Sequence, residues 1–481
     1  MSKLLEKAYN TEDFRKMGHE IVDLLADYLN SAYNDENQKV LPWQNPENML
    51  QKWESNFQKK EDFNIKNLFT DFLEDSIHIH NPKYMGHQVC PPLPISAIAE
   101  LFGSLLNNGQ AIYEMGPIAN AMERVILEWL SAKIGYPKSA FGVLTSGGSI
   151  GNLTALLAAR QSESNIDAWE NGTKNQTFAI MVSEQAHYSV SRAVKIMGWG
   201  EKGIIKLPVD ANFKVDISKL EEIYKKTTSE NIKIIALVAN VCTTATGSFD
   251  PINEIADFCE KHKIWLHADA AHGGAALFSE KHKHKLNGLH RADSIVIDFH
   301  KMMMNSALTS AVLFKIGDKS YQTFSQKASY LLKDKQAFEW HNSANRSLEC
   351  TKYWMSIKPY SIIKAYGEDI FKEYVETTFN LAENFADIIM KSTDFELAVK
   401  PEANIVCFRY NPNKKQLSEI EISELNTSLR KKLTEEGKFY IVQTDLNNET
   451  WLRVTLMNPF TNIKNIEDML DELRNIYFEY N

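Results

Sequence analysis

Apolar positions along the chain change period more than once, and each change predicts a different kind of element. Near the start, Phe14, Met17, Ile21, Leu24, Leu25, Tyr28 and Leu29 recur at helical spacing and give one apolar face. An Asn-rich stretch at 31–38 and a Pro-bearing one at 41–46 predict loop, and a second helical pattern runs through 49–57. Pro82, Pro91, Pro92 and Pro94 break the pattern and mark a boundary. Beyond it Met122, Val125, Ile126, Trp129, Leu130 and Ile134 follow the i, i+3, i+4, i+7 rule of a strong helix.

From Phe141 short apolar runs alternate with helical ones. Strands are expected at 178–183, 234–240, 264–270, 294–300 and 311–315, and helices at 152–160, 188–197, 217–226 and 252–262. This alternation predicts an α/β domain with a mostly parallel central sheet and helices on both faces, whose ligands bind at the carboxyl ends of the strands. After residue 356 the pattern becomes a long helix at 362–390, a strand at 404–410, a helix at 418–435, a strand at 451–456 and a helix at 466–478. The expected organisation is therefore an N-terminal helical segment (1–85), a large α/β domain (86–355) and a small α+β C-terminal domain (356–481). The early helices are too sparse for a core of their own and are expected to cover another domain or subunit.

Composition narrows the function. A length of 481 residues with 44% hydrophobic and 24% charged residues is that of an ordinary globular protein. The net charge of −9 argues against a general nucleic-acid binder. Five cysteines without a C-x-x-C pair suit reduced thiols in a cytoplasm. The first residues lack an apolar signal core, and no apolar run approaches the roughly 18 residues of a membrane span.

The residues with chemical promise cluster at strand ends. The run Ile295-Val296-Ile297 delivers His300 and Lys301, and an amine held where water is scarce becomes a usable nucleophile towards a carbonyl. Upstream, Thr145-Ser-Gly-Gly-Ser149 leads into a helix whose free N–H groups suit a phosphate, although no Gly-Lys-Ser/Thr closes it as a P-loop. His187 stands between a strand and a helix. Cys242-Thr-Thr244 offers hydroxyls just past a strand. Asp269 follows a buried apolar strand and needs a partner there, because an unpaired buried carboxylate is costly. A pyridinium N–H is one such partner; a metal held by His267, Asp269 and His272 is the competing one.

A glycine-rich anion loop, then a histidine, then strand–Asp269, then strand–His300-Lys301 occur together in this chain. The combination resembles the group II pyridoxal-phosphate-dependent amino-acid decarboxylases, which include aromatic amino-acid, glutamate, cysteine-sulfinate and 2,4-diaminobutyrate enzymes. The resemblance runs from about residue 82 to 459. It implies the fold of the aspartate-aminotransferase-like type I pyridoxal phosphate enzymes, as a homodimer with active sites at the subunit boundary. It implies Lys301 as the lysine that forms an imine with pyridoxal 5'-phosphate, Asp269 on the pyridine nitrogen, and His187 and Ala271 against the two ring faces. Gly148 and Ser149 then lie in the phosphate loop, His300 is a second phosphate or cofactor contact, and Thr244 lies near the ring hydroxyl. Tyr330 aligns with the mobile-loop tyrosine that protonates the decarboxylated carbon, which favours amine over aldehyde as product. No metal is implied, and the partner is a small amino acid, aromatic or basic; glutamate decarboxylation, aldehyde synthesis and transamination are the alternatives. The chain departs from the family at Cys242 (usually Gly), at Ile150-Gly151 (usually Glu-Ala) and at Gly116-Pro-Ile-Ala-Asn120 (often Ser-Pro-x-x-Thr). Glu114 and Arg346 are open candidates for recognising a substrate side chain.

Overall fold

The computed structural model describes residues 1–57, 63–324, 340–412 and 417–480. Contacts group the chain into two units, one of Met1–His87, Asn384–Ala398 and Cys407–Asn481, the other of Gln88–Glu383 and Val399–Val406. The sequence texture, by contrast, draws three consecutive pieces with boundaries at 85/86 and 355/356.

The larger unit is built on a sheet of seven strands: β1 (Phe141–Thr145), β2 (Thr177–Ser183), β3 (Ile204–Leu207), β4 (Ile232–Asn240), β5 (Trp265–Asp269), β6 (Ser294–Asp298) and β7 (Ser310–Phe314). They lie in the order β1–β7–β6–β5–β4–β2–β3. Only β7 runs against its neighbours. The strands β1, β2, β4, β5 and β6 therefore all point their carboxyl ends the same way. Register places Asn240 beside Asp269, and Ser310 between Thr145 and Asp298. The central strands are buried on both faces, which is why their sequences read as unbroken apolar runs.

The Gly148–Glu163 helix crosses this sheet with nine consecutive residues, Gly151 to Ala159, buried. Leu153, Leu156 and Leu157 join Val296, Val312 and Phe314 in the core. The helix comes this close because Gly151 has no side chain: a Cβ there would lie 3.2 Å from Val296 and from Val312. That is the physical content of the Ile150-Gly151 departure. Just ahead of the helix, the end of β1 is held by a buried ion pair. Glu123 accepts from Lys352 (2.5 Å), from the backbone N–H of Leu144 (3.0 Å) and from Gln110 (2.9 Å), and Lys352 also donates to the Leu144 carbonyl (2.9 Å).

The smaller unit contains β8 (Phe395–Leu397), β10 (Val442–Leu446), β11 (Glu449–Thr455) and most of β9 (Ile405–Tyr410), in a sheet ordered β10–β11–β9–β8. The Glu419–Glu436 helix starts in a capping box of Ser418 and Glu421. Its Asn426 bonds both the N–H and the carbonyl of Tyr410.

Five strands expected in the larger unit are present within a few residues, and the 252–262 helix is reproduced as Ile252–His262. The expected helix at 362–390 is two, Ile357–Tyr366 and Asp369–Lys391, interrupted at Gly367 with φ +70°. A helix at Pro94–Leu106, not anticipated from the sequence, follows the proline boundary; Pro94 occupies its first turn, where its missing N–H costs nothing.

The ion pair sets a stability test. Glu123→Ala leaves Lys352 charged and buried, and thermal unfolding is expected to register a loss of about 3–5 kcal/mol. The double substitution Glu123→Leu/Lys352→Met is expected to lose clearly less. If the double variant is as unstable as the single one, unpaired charge is not the cause.

Candidate active site

The common direction of β1, β2, β4, β5 and β6 brings five strand ends to one edge, and a cavity of about 390 Å³ opens there. Gly148, Ser149, His187, Thr244, Asp269, Ala271, His300 and Lys301, picked from distant parts of the sequence, all line it. Tyr330 lies outside the described residues.

At one end Asp269 is surrounded by donors. Its Oδ2 accepts from Asn152 Nδ2 at 2.8 Å and its Oδ1 from the Ala271 N–H at 3.2 Å. Since the Asn152 amide nitrogen donates to a carboxylate, its oxygen accepts, and that oxygen lies 3.0 Å from His267 Nε2. His267 therefore carries its proton on Nε2. Its Nδ1, 2.9 Å from Ser294 Oγ, accepts the serine hydroxyl, whose oxygen takes the Trp265 N–H at 2.8 Å. Burial pushes the His267 pKa down to about 4, against the pull of Asp269 and Ser294, so the ring is neutral. The same Asn152 nitrogen reaches Ser189 Oγ at 3.0 Å, leaving that hydroxyl to donate to His187 Nδ1 at 2.7 Å. Burial likewise lowers the His187 pKa, with Asp269 opposing and Lys301 adding to the shift. One amide thus sets the proton positions of an acid and a histidine on the cavity wall.

At the other end Gly147, with φ +108°, turns the chain into the helix that begins at Gly148. The N–H groups and positive dipole of this first turn suit an anion. Beside it Lys301 Nζ is 3.1 Å from Asp298 Oδ2, and His300 Nε2 is 3.7 Å from the same oxygen. Lys301 is therefore ion-paired, where the sequence context predicted an amine merely starved of water. His300 Nδ1 is anchored 2.9 Å from the Thr309 carbonyl. On the β4 side, Thr243 and Thr246 bond each other within their turn while Thr244 faces the cavity. Cys242 holds φ +77°, a conformation that favours glycine, and burial raises its thiol pKa.

The remaining candidates fall elsewhere. Arg346 is buried, stacked 3.8 Å from the Phe141 ring centroid, and donates to the Gly142 and Trp340 carbonyls. It is a structural cation and does not line the cavity. Asn120 donates to the Gly116 carbonyl and fixes a helix start. Glu114 is exposed on a short turn. The metal reading of His267, Asp269 and His272 finds both His267 nitrogens engaged, with Asn152 and Ser294, and His272 Nε2 engaged with Asn404 at 2.7 Å. Among the described residues no three His, Cys, Asp or Glu side chains are placed to hold a metal. The donor set fits a pyridine nitrogen at Asp269, a phosphate at Gly148–Ser149 and an aldehyde carbon at Lys301.

Three residues of the site escaped the sequence reading: Asn152, Ser189 and Asp298. The rule that flags Asp269, a carboxylate ending a buried strand, applies equally to Asp298. Asn152 and Ser189 carry no comparable signal, since polar residues in a helix's early turns are common.

A family model described as the pyridoxal-dependent decarboxylase conserved domain matches residues 46–411. The chain is 29% identical over 472 residues to an aromatic-L-amino-acid decarboxylase of Bacillus atrophaeus, covering 97% of this chain and 95% of that one. It is 29% identical over 418 residues to an L-2,4-diaminobutyrate decarboxylase of Acinetobacter baumannii, covering 84% and 81%. In fold it is similar to mouse CSAD in its apo form, with a TM-score of 0.88 at 23% identity over 96% of this chain and 98% of that chain.

Asn152→Ala removes the shared amide, leaving the His267 N–H and Asp269 short of a partner. A stability loss of about 1–3 kcal/mol is expected, together with weaker cofactor retention. Retention is read as the absorbance that stays with the protein through gel filtration. A variant with unaltered melting temperature and full retention would show that Asp269 is oriented by other means.

Proposed function

The chain belongs to the pyridoxal-dependent decarboxylases, carboxy-lyases that use pyridoxal phosphate, and we propose that it converts an aromatic or basic L-amino acid to carbon dioxide and the corresponding amine. The observation that carries this reading is Asp269, a carboxylate receiving donors from the protein on both oxygens and facing the cavity that holds Lys301. When bound, the cofactor supplies an electron sink for the charge left as the carboxyl group departs.

The chain's own residues do the rest. Lys301 is the covalent anchor, exchanged for the substrate amine and restored at product release. Asp269 keeps a proton on the ring nitrogen, because a carboxylate raises the pKa of a base it faces. Gly148 and Ser149 seat the phosphate with backbone N–H groups, and His300 and Thr244 add polar contacts. His187, neutral and held by Ser189, offers one flat face to the ring, and Ala271 a small one to the other. Tyr330 returns a proton to the substrate carbon. The lean towards an aromatic or basic substrate rests on Arg346, which is spent inside the protein and is no clamp for a side-chain carboxylate; the relatives are named for aromatic, basic and acidic substrates alike.

A homodimer is part of the proposal. Ile98, Leu101, Phe102 and Leu105 on the Pro94–Leu106 helix are exposed, as are Ile118 and Val125 on the Pro117–Ile134 helix. Apolar patches of this kind mark covered surfaces, and a second copy is the occupant the family suggests. No helix among the described residues is long and apolar enough to cross a membrane. The cysteines, none in a disulfide, support a cytoplasmic setting.

A panel of amino acids assayed together for carbon dioxide, amine and aldehyde tests the reaction. Wild type is expected to release carbon dioxide and amine in equal amounts from an aromatic or basic substrate. Lys301→Ala should lose turnover and the visible absorbance of the anchored cofactor, and Tyr330→Phe should keep the absorbance but shift product towards aldehyde. Full turnover by Lys301→Ala would sink the assignment. For the assembly, Leu105→Asp is expected to move the sedimentation coefficient from dimer to monomer; a monomeric wild type would remove the dimer from the proposal.

A further inference from the structure

We propose that Asp298 and the cofactor's phosphate share a proton, so that filling the anion seat takes up a proton and its affinity falls as pH rises. The inference rests on the assignment of that seat to Gly148 and Ser149, and deepens it. Asp298 ends β6 almost fully buried, 2% exposed, with its carboxylate against the glycine turn. A Cβ on Gly148 would lie 3.0 Å from Oδ1 and 3.1 Å from Oδ2. The carboxylate thus borders the same backbone whose N–H groups form the seat. A phosphate monoester is close to a dianion above about pH 7. Placed there, it would stand beside a second buried anion, and two such groups in contact do not both stay ionised.

Several charged or titratable groups bear on Asp298. From the turn after β6 come Lys301 and His300, at 3.1 and 3.7 Å. From β7 comes the uncharged hydroxyl of Ser310, at 2.5 Å. The Gly148–Glu163 helix meets it at Gly148 and bears no charged side chain among the cavity-lining residues. Across the cavity stand His187, which feels Asp298 electrostatically, and Asp269. Without cofactor, burial pushes the Asp298 carboxyl up. Lys301, then His300, then hydrogen bonds from Ser310 and Lys301 outweigh it and hold the group below the usual carboxylate range. Ligand binding reverses this balance, because a phosphate close to a dianion brings more negative charge to the seat than the single ammonium of Lys301 offsets. The carboxylate then binds one proton, and its O–H donates to a phosphate oxygen, turning repulsion into a charge-assisted hydrogen bond.

The sign follows from linkage: a ligand that brings a proton with it binds more weakly as that proton becomes scarce. The test uses the full-length chain freed of cofactor and titrated with pyridoxine 5'-phosphate, which has ring and phosphate but no aldehyde. Calorimetry in two buffers of different ionisation enthalpy, from about pH 7.5 to about pH 9.5, counts the protons. Wild type is expected to take up about one proton per ligand more than Asp298→Asn, because any uptake at the ring nitrogen facing Asp269 is common to both proteins. The affinity of wild type should fall with pH about tenfold per unit more steeply than that of Asp298→Asn, which binds at least about tenfold tighter at the upper end. Zero uptake by wild type, a result that needs no variant, overturns the proposal, as does equal uptake by both proteins. Binding by both without a proton difference leaves the seat standing and removes only the shared proton. Binding by neither removes the seat assignment and this inference together.

Discussion

The site depends on one buried amide. Asn152 sits in the second turn of the Gly148–Glu163 helix, is buried, and has four hydrogen-bonding positions to fill. Its nitrogen serves Asp269 and Ser189, its oxygen the N–H of His267. Rotating the amide by half a turn would set its oxygen against a carboxylate and its nitrogen against an N–H, two repulsions at once. The chain from Trp265 through Ser294 and His267 to Asn152 has only one consistent direction, and it ends at Asp269 with a donor. A carboxylate supported in this way is set to face a protonated ring nitrogen. The chemistry is therefore fixed by a chain of hydrogen bonds that runs from Asn152 on the cavity wall back through His267 into the core.

That arrangement requires the helix to lie close against the sheet, and the fold supplies this through small residues and fixed strand ends. Gly151 lets the helix settle on Val296 and Val312, so its first turn opens at the strand edge and Asn152 reaches β5. Glu123 and Lys352 clamp Leu144, the residue before the one that ends β1, so the glycine turn starts from a rigid point. A buried pair of this kind contributes little net stability compared with apolar packing. Its value here is position, since both partners bind the same backbone segment.

Much of this was legible in the sequence because buried parallel strands announce themselves. Runs such as 234–240 and 294–298 are apolar on both faces, and the residues that follow such runs fall at one edge by topology alone. That reasoning puts Lys301, Asp269, His187 and the glycine loop at strand ends, and the resemblance to the pyridoxal-phosphate decarboxylases implies that they share one site. It failed where the signal is pairwise. β3 is short, and β1 is interrupted in pattern by Gly142, where a Cβ would collide with the Val312 carbonyl. Arg346 looked like a substrate clamp because a sequence does not reveal whether an arginine faces a cavity or Phe141. Asn152 and Ser189 look like ordinary helix residues until their partners, far away in sequence, are known.

Asp269 and Asp298 make the same point about context. Both are aspartates ending buried parallel strands on the same edge, two strands side by side. Asp269 meets an amide and a backbone N–H, neutral donors that leave its charge available to whatever enters the cavity. Asp298 meets an ammonium group and the start of a helix, so its charge is already spoken for until the lysine is engaged elsewhere. The first is placed to stabilise positive charge brought in by a ligand; the second, on our proposal, gives way when negative charge arrives. Two identical side chains at equivalent places in the sheet thus take opposite parts, decided by whether each neighbour keeps or surrenders its own charge.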